Sequence, residues 1–225
     1  MSSLRLNGSL RPPLLSRDSG PGLRWLLFLQ GCARPCTDRC LNPRYLDPRG
    51  GWLASLEELR LVAGQVAVGT YGPVEGITLL GGEPTDQAVA LRLFLSVVRD
   101  LGLSVMLYSG HPLAWFDRPE NVAVKGLLAD VDILVDGPFL PHLSEPGLHW
   151  RGSTNQRILR LTDRYTEAEL AYGQTQTGVT LTLRGNGLVT LSGLQARAAA
   201  EAVESILDGQ VSDVSQTDPY GSRRD

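Results

Sequence analysis

Short apolar runs alternate along this chain with segments in which apolar residues recur every three or four positions. The runs are typical of buried strands, and the periodic segments are typical of amphipathic helices. Ser55 and Glu58 form a capping box at the start of the first helix, and Gly102 is the stop signal of the second. Strands are predicted at residues 25–29, 76–80, 103–108 and 131–135, with helical stripes at Leu56, Leu59, Val62, Ala63 and Val66 and at Leu91, Phe94, Leu95, Val98 and Leu101.

The order of these elements predicts the fold class. Strands that alternate with helices form parallel sheets joined by right-handed crossovers. Only about four or five such strands fit before residue 160, whereas a closed eight-stranded barrel needs about 250 residues. We therefore predict an α/β fold, as a partial (β/α) barrel or an open curved sheet.

The two ends of the chain follow other patterns. Residues 1–19 predict a lead-in strand or loop. Alternating apolar and polar residues at 178–184 and 188–191 predict a β-hairpin that turns at 185–187, and residues 194–207 predict a closing amphipathic helix. The predicted organisation is a main domain over residues 1–165, a hairpin-and-helix extension over residues 166–209 and a disordered tail over residues 210–225.

Composition and charge narrow the function classes. Of the 225 residues, 42% are hydrophobic and 20% are charged, which is typical of a globular protein. The 21 basic and 24 acidic residues give a net charge of −3, and the scattered basic residues argue against nucleic-acid binding. The longest apolar run, residues 25–29, is far shorter than a membrane span, and no secretory signal precedes it. We expect a soluble cytoplasmic protein in a reducing compartment.

Three cysteines are the strongest chemical signal in the sequence. Cys32, Cys36 and Cys40 lie within nine residues and are all the cysteines of the chain. An odd number of closely spaced cysteines does not make a disulfide framework, whereas three thiolates on one loop suggest an iron–sulfur cluster or a metal. A four-iron cluster with three protein thiolates leaves one iron open to a small molecule, as catalytic metal sites keep one position open.

Two other interpretations of these cysteines stay open. A zinc site would need a fourth ligand, and His111, His142 and His149 lie far along the chain without ligand-like spacing. The cysteines can also be incidental or buried thiols with no ligand. The spacing favours the iron–sulfur interpretation over both.

Three further motifs follow predicted strands, as the cysteines follow the strand at residues 25–29. They are Gly81-Gly82-Glu83-Pro84, Tyr108-Ser109-Gly110 and Asp136-Gly137-Pro138. Ligands of parallel sheets bind at the carboxyl ends of the strands, so all four segments are expected at one edge. Each motif also fits an ordinary turn. Next to the cysteines, however, glycines that permit close approach and a carboxylate that accepts hydrogen bonds suit a bound cofactor.

With these motifs in order, the sequence resembles the radical S-adenosylmethionine enzymes, and most closely the activating proteins of anaerobic (class III) ribonucleotide reductases. The resemblance covers about residues 4–162. Its matching stretches are Gly20-Pro21-Gly22-Leu23-Arg24, Phe28-Leu29-Gln30-Gly31-Cys32, Cys40-Leu41-Asn42-Pro43, Leu80-Gly81-Gly82-Glu83-Pro84 with Gln87, Tyr108-Ser109-Gly110, Leu134-Val135-Asp136-Gly137-Pro138-Phe139 and Arg151-Gly152-Ser153-Thr154-Asn155-Gln156-Arg157.

The resemblance implies a fold and a set of cofactors. The fold would be a partial barrel of the radical S-adenosylmethionine type, and Cys32, Cys36 and Cys40 would be the ligands of a 4Fe-4S cluster. No side chain is assigned a catalytic role, because the cofactors do the chemistry. The residues expected to bind S-adenosylmethionine are Gly81, Gly82, Glu83, Pro84, Tyr108, Ser109 and Asp136.

The resemblance also implies an activity. The enzyme would reductively cleave S-adenosylmethionine to a 5′-deoxyadenosyl radical and so generate a glycyl radical on an anaerobic ribonucleotide reductase, with flavodoxin or ferredoxin as the electron donor. Two alternatives stay open. One is a radical S-adenosylmethionine enzyme with a small-molecule or peptide substrate, and the other is a non-catalytic iron–sulfur electron-transfer or zinc-binding module.

One spacing departs from the family pattern. The family places two residues between its second and third cysteines, whereas this chain has Thr37, Asp38 and Arg39 in that gap. Arg39 also stands where an aromatic residue is common. A bulge in a loop can absorb one extra residue and leave all three cysteines available.

Overall fold

A computed structural model describes residues 3–33, 36–145, 147–173, 180–183 and 189–192 of the chain. Strands and helices alternate through the middle of these residues, as the hydrophobic pattern predicts. In chain order they are β1 (Ser3–Asn7), β2 (Leu14–Ser16), β3 (Leu23–Leu29), β4 (Trp52–Ser55), α1 (Leu56–Ala67), β5 (Val74–Gly81), α2 (Ala88–Asp100), β6 (Ser104–Ser109), α3 (Leu113–Phe116), α4 (Val122–Lys125), β7 (Ile133–Asp136), β8 (Arg157–Arg160), α5 (Glu167–Gly173), β9 (Thr180–Leu183) and β10 (Val189–Ser192).

The first eight strands form one mixed sheet in the order β4-β1-β3-β5-β6-β7-β8, and β2 pairs with β3 beside this path. The four strands that the apolar runs predict are β3, β5, β6 and β7, and they are parallel neighbours as expected. The strands β1, β2, β4 and β8 pair antiparallel. The α/β class is confirmed, and none of the described pairings joins β4 to β8 into a closed barrel.

The predicted helix signals have clear structural counterparts. At the start of α1, Ser55 Oγ accepts a hydrogen bond from Glu58 N (3.2 Å), and Glu58 Oε2 accepts one from Ser55 N (2.9 Å), so the capping box is confirmed. The predicted stripes are buried with one exception. Leu101 lies just beyond the end of α2 and is 37% exposed, because the chain turns away at Gly102 with a φ of +76°.

Both faces of the parallel strands are buried. Strand side chains alternate between the two faces, and on one face Trp25 of β3 meets Phe94 of α2 edge to face, with ring centroids 6.1 Å apart. Burial on both sides explains why these strands are nearly continuous apolar runs. On the opposite face, Met106, Ile133 and Val135 of β6 and β7 form a second cluster with Trp150, Tyr165 and Leu170, and Leu26 and Phe28 of β3 form a third with Tyr45.

A fully buried arginine, Arg24, lies near the amino end of β3. Its five N–H donors bond to the hydroxyls of Thr78 (2.7 Å) and Ser104 (2.9 Å) and to three backbone carbonyls. The hydroxyl of Tyr165, which precedes α5, lies 2.7 Å from Ser104 Oγ. This polar network joins β3, β5 and β6 to the segment that leads into α5.

The last described strands agree with the predicted hairpin. The strands β9 and β10 pair antiparallel, with Thr180 opposite Ser192. The predicted turn at 185–187, helix at 194–207 and tail at 210–225 lie outside the described residues, and the division of the chain into domains stays a prediction. Among the helices that the structure describes, none is both long and apolar enough to cross a membrane.

Candidate functional site

The carboxyl ends of the four parallel strands lie side by side. The register pairs Leu29, the last residue of β3, with Gly81, the last residue of β5. It also pairs Ser109 at the end of β6 with Asp136 at the end of β7. The cysteine loop (residues 31–46) and the glycine turn (residues 81–84) therefore leave the sheet at the same edge as the turns after β6 and β7.

Backbone hydrogen bonds close the cysteine loop at its base. Gly31 N donates to Tyr45 O (2.8 Å), and Cys32 N donates to Leu46 O (3.0 Å). Tyr45 is buried, and its ring stacks on Phe28 of β3 with centroids 4.9 Å apart. Both ends of the loop are thus fixed to the sheet.

The three cysteines, all within the described residues, form no disulfide; Cys36 is exposed, and Cys32 and Cys40 are half-buried. Asn42 N donates to Cys40 Sγ (3.3 Å), and burial raises the pKa of the Cys40 thiol. In the described part of the chain, no three Cys, His, Asp or Glu side chains gather as a single metal ion would require. A four-iron cluster makes a different demand, because each thiolate binds a different iron. Three thiols on one loop fit that donor set.

The extra residue between Cys36 and Cys40 lies in a local turn. Thr37 Oγ1 accepts a hydrogen bond from Arg39 N (3.1 Å) and donates one to Asp38 Oδ1 (3.2 Å). A hydroxyl that bonds to the backbone two residues later reverses the chain within a short distance. The loop accommodates its longer second gap in this turn.

Gly81 and Gly82 bring the glycine turn into contact with the cysteine loop. Gly82 N donates to Leu29 O (2.8 Å), and Glu83 N donates to Gly31 O (2.8 Å). A Cβ at Gly82 would collide with Gly31 O and one at Gly81 with Leu29 O, and Gly81 also has a φ of +115°. The close approach that these glycines permit in the structure is to the end of β3 at Gly81 and to the backbone of the cysteine loop at Gly82.

Glu83 is buried at this contact and holds the turn after β6. Its Oε1 accepts hydrogen bonds from Thr85 Oγ1 (2.7 Å) and Ser109 Oγ (3.0 Å), and its Oε2 accepts one from Gly110 N (2.8 Å). Burial raises the pKa of the Glu83 carboxyl, because the hydrogen bonds that favour its charged form offset only part of the desolvation. Pro84, also buried, begins a short 3-10 helix.

Gly110 lies between Cys36 and the Glu83 carboxylate. A Cβ added at Gly110 would lie 3.5 Å from both Cys36 Sγ and Glu83 Oε2. The exposed thiol, the turn after β6 and the buried carboxylate therefore meet at one place. Tyr108, which is half-buried, precedes this turn on the sheet face that carries Met106.

Asp136, at the end of β7, is buried and ion-paired. Arg157 of β8 lies opposite it in the antiparallel register, and the guanidinium binds both carboxylate oxygens. Oδ2 of Asp136 also accepts a hydrogen bond from Leu113 N at the start of α3 (2.6 Å). The carboxylate is thus engaged by neighbours within the protein, and its contact with a cofactor stays a prediction.

The segment 151–157 folds back over the turn after β7. Gln156 Nε2 donates to Gly137 O (3.0 Å), and Gln156 Oε1 accepts from Gly152 N (2.8 Å). A Cβ at Gly152 would lie 2.7 Å from Leu41 Cδ1, so this segment also reaches the end of the cysteine loop. The stretch therefore belongs to the frame of the site.

Three polar side chains tie the cysteine loop to the segment after the glycine turn and to its own end. Asp86 Oδ2 accepts a hydrogen bond from Ala33 N (2.7 Å), Gln87 Nε2 donates to Gln30 O (3.1 Å), and Gln30 Nε2 donates to Asp47 O (2.7 Å). In the sequence, the two glutamines stand out only as members of the matching stretches, and Asp86 does not stand out at all. The available signal was the position of Asp86, two residues after the glycine turn.

The amino-acid sequence of this chain is similar to those of known proteins. A model of the 4Fe-4S single cluster domain family matches residues 19–159. The chain is 34% identical to the anaerobic ribonucleoside-triphosphate reductase-activating protein of Vibrio cholerae over 149 residues, which are 64% of this chain and 92% of that protein. The chain belongs to this family of activating proteins.

Other activating proteins match over the same extent. Those of Enterobacteria phage T4 and Escherichia coli K12 are 28% and 30% identical to this chain. Each alignment covers 64% of this chain, with 88% of the phage protein and 92% of the bacterial one. The family match ends within β8, so α5 and the hairpin β9–β10 lie beyond it.

Proposed function

We propose that this activating protein is a radical S-adenosylmethionine enzyme that installs a glycyl radical on an anaerobic ribonucleotide reductase. The observation that carries the proposal is the cysteine loop, which is fixed at its base and bonded to the glycine turn at the carboxyl edge of the parallel strands. Family membership supports the same reaction, because the relatives are named for activating anaerobic ribonucleoside-triphosphate reductase.

Cys32, Cys36 and Cys40 would hold the 4Fe-4S cluster through three thiolates, which leaves one iron without a protein ligand. Bound there, the reduced cluster would supply the electron that cleaves S-adenosylmethionine to methionine and a 5′-deoxyadenosyl radical. Transfer of a hydrogen atom from a glycine Cα to that radical would leave a glycyl radical and 5′-deoxyadenosine. The protein residues have the tasks of binding, orientation and exclusion of water.

The residues around the cysteines would share these tasks. Gly81 lets the glycine turn approach the end of β3 closely and Gly82 lets it approach the cysteine loop, with Pro84 buried in the same turn. Glu83 fixes the backbone of Gly110 beside the exposed Cys36 thiol. The glycine backbone at this place would let a small cofactor approach the proposed cluster closely.

The turns after β6 and β7 would form the opposite side of the cofactor site. The hydroxyls of Tyr108 and Ser109 are proposed to contact the nucleoside, and Ser109 is oriented by its hydrogen bond to Glu83. Asp136, held by Arg157, is proposed to shape the mouth of the site.

The same proposal includes the fold type of the protein, its electron donor and its cellular compartment. The open sheet would be a partial (β/α) barrel of the radical S-adenosylmethionine type, which the four parallel strands with a cover on each face support. Flavodoxin or ferredoxin is the proposed electron donor, and the cytoplasm is the proposed compartment.

Anaerobic reconstitution with iron and sulfide tests the proposal. We expect about four irons per wild-type chain, production of 5′-deoxyadenosine under strong reductant, and a glycyl radical signal by electron paramagnetic resonance once the reductase is added. Cys40→Ala should form no 5′-deoxyadenosine. The Cys40 variant is informative because it removes one thiolate and leaves the turn at Thr37 in place.

Three results would contradict the proposal in different ways. Formation of 5′-deoxyadenosine with no radical on the reductase would indicate a small-molecule or peptide substrate. About four irons without cleavage would indicate an electron-transfer module. Bound zinc in place of iron would exclude the radical reaction.

A further inference from the structure

Asp86 is an exposed carboxylate that contacts the cysteine loop beside its first cysteine. Its Oδ2 accepts a hydrogen bond at 2.7 Å from Ala33 N, which belongs to the peptide group between Cys32 and Ala33. We propose that Asp86 positions Cys32 for the 4Fe-4S cluster and lowers the reduction potential of that cluster. This inference rests on the proposed function, because it needs the cluster on this loop.

Asp86 is held in place by its neighbours in the chain. Its backbone N donates to Glu83 O (3.1 Å) within the 3-10 helix that follows the glycine turn. On one side Glu83 N donates to Gly31 O, and on the other Gln87 Nε2 donates to Gln30 O. The carboxylate therefore reaches the cysteine loop from a short segment that is itself bonded to the loop.

The bond to Asp86 completes the fixation of the backbone at Cys32. On its amino side, Cys32 N donates to Leu46 O at the base of the loop. On its carboxyl side, Ala33 N donates to Asp86. Without the carboxylate, the peptide group between Cys32 and Ala33 would lose this bond, and the position of Cys32 for binding a cluster would be less well defined.

The carboxylate acts on the cluster potential in two ways that have the same sign. A negative charge beside a cluster disfavours the added electron and so lowers the reduction potential. The carboxylate also engages the N–H of Ala33, which then does not donate to a cluster sulfur, and such N–H donation raises the potential. Because Asp86 is exposed, solvent screens its charge and the expected shift is modest.

The test compares four full-length proteins reconstituted anaerobically: wild type, Asp86→Asn, Asp86→Ala and Asp100→Asn. Asp100 is an exposed carboxylate in the last position of α2, whereas Asp86 lies just before the start of that helix. The Asp100→Asn substitution therefore removes one negative charge but does not alter the cysteine loop. Iron and sulfide are counted, and the midpoint potential is measured by electron paramagnetic resonance during titration with titanium(III) citrate, without S-adenosylmethionine.

Asp86→Asn keeps an acceptor for Ala33 N–H and removes the charge. We expect wild-type iron content and a ratio of reduced to oxidised cluster that is about threefold to tenfold higher at a fixed potential, a rise of roughly 30 to 59 mV. Asp86→Ala, which also loses the acceptor, should shift at least as far and bind less iron. Asp100→Asn should match wild type.

Two results would overturn the inference while the proposed function stands. One is a cluster-loaded wild type with the same midpoint potential as Asp86→Asn, and the other is an Asp86→Ala protein with wild-type iron content. A wild type that forms no cluster would instead overturn the proposed function, and the inference with it. The iron count on the wild type therefore separates the two failures.

Discussion

The two ends of the parallel strands differ in the chemical groups that they leave exposed. At the amino end, Arg24 is fully buried, and all five of its donors are bonded to Thr78, Ser104 and backbone carbonyls. At the carboxyl end, the Cys36 thiol is exposed, and the other two cysteines are half-buried.

This difference indicates that the amino end of the strands contributes to stability, whereas the carboxyl end is available for binding. A buried polar group is tolerated when its hydrogen bonds are made, and the donors of the Arg24 guanidinium are all engaged by groups within the protein. The carboxyl end fixes its loop through backbone bonds to Gly82 and Glu83 and keeps the thiols at the surface. A site for a cluster can therefore stay accessible while its base is held by the sheet.

The largest expected effect comes from Arg24→Met, which removes the buried guanidinium at the amino end of the parallel strands. The change removes a desolvated charge, which is favourable, but it leaves five acceptor contacts without their donor, four of them buried and each worth about 1–3 kcal/mol. We expect a net loss of about 3–5 kcal/mol in the free energy of unfolding. Urea unfolding followed by circular dichroism measures it.

The control for Arg24→Met is Arg60→Met, because Arg60 is exposed on α1. Its free energy of unfolding should stay within about 0.5 kcal/mol of wild type. Equal effects of the two substitutions would mean that the buried network does not stabilise the amino end. The comparison between the two ends of the strands would then lose its basis.

A second pair of variants tests the carboxyl end of the parallel strands. In Gly82→Ala the new Cβ collides with Gly31 O and lies 2.7 Å from Tyr45 O, so backbone atoms must move. We expect a loss of about 1–3 kcal/mol and a lower iron content after reconstitution, because the cysteine loop is displaced. Unfolding by urea and an iron count measure the two effects.

Gly110→Ala is the matched control for Gly82→Ala. Its Cβ meets Cys36 Sγ and Glu83 Oε2 only at 3.5 Å, which is ordinary contact. The free energy of unfolding should stay within about 0.5 kcal/mol of wild type. If Gly82→Ala were tolerated as well as Gly110→Ala, contact with the glycine turn would not be what fixes the loop.

The sequence is informative about the middle of the chain because its signals there are local. The capping box of Ser55 and Glu58 and the four apolar runs all lie in short segments, and each appears in the structure. The short antiparallel strands β2, β4 and β8 are missed, because three or four residues are too few to show a period.

The contacts of the candidate site depend on pairings between distant segments. The ion pair of Asp136 and Arg157 exists because β8 returns antiparallel along β7, and no local pattern encodes that register. The bond from Ala33 to Asp86 likewise joins two segments that meet only when β3 and β5 align. The sequence therefore predicts which residue types gather at the edge but not which of them bond to each other.

The smallest expected effect concerns Glu83, the one carboxylate of the glycine turn, and it appears only as pH changes. Burial raises the pKa of Glu83 in the folded protein above its unfolded value of about 4.3. The contribution of this group to stability is therefore fully present below the unfolded pKa and is lost as pH rises through the folded pKa. Glu83→Gln does not titrate, so wild-type stability relative to this variant should fall across that range.

Urea unfolding of both proteins at a series of pH values measures this difference, with Glu57→Gln as the control for loss of one exposed carboxylate on α1. A difference that rises with pH would mean that the bonds from Thr85, Ser109 and Gly110 outweigh the desolvation of Glu83. The hydrogen bonds of Glu83 would then more than compensate its burial. If the difference in free energy of unfolding instead falls as pH rises, the hydrogen bonds of Glu83 compensate only part of its desolvation.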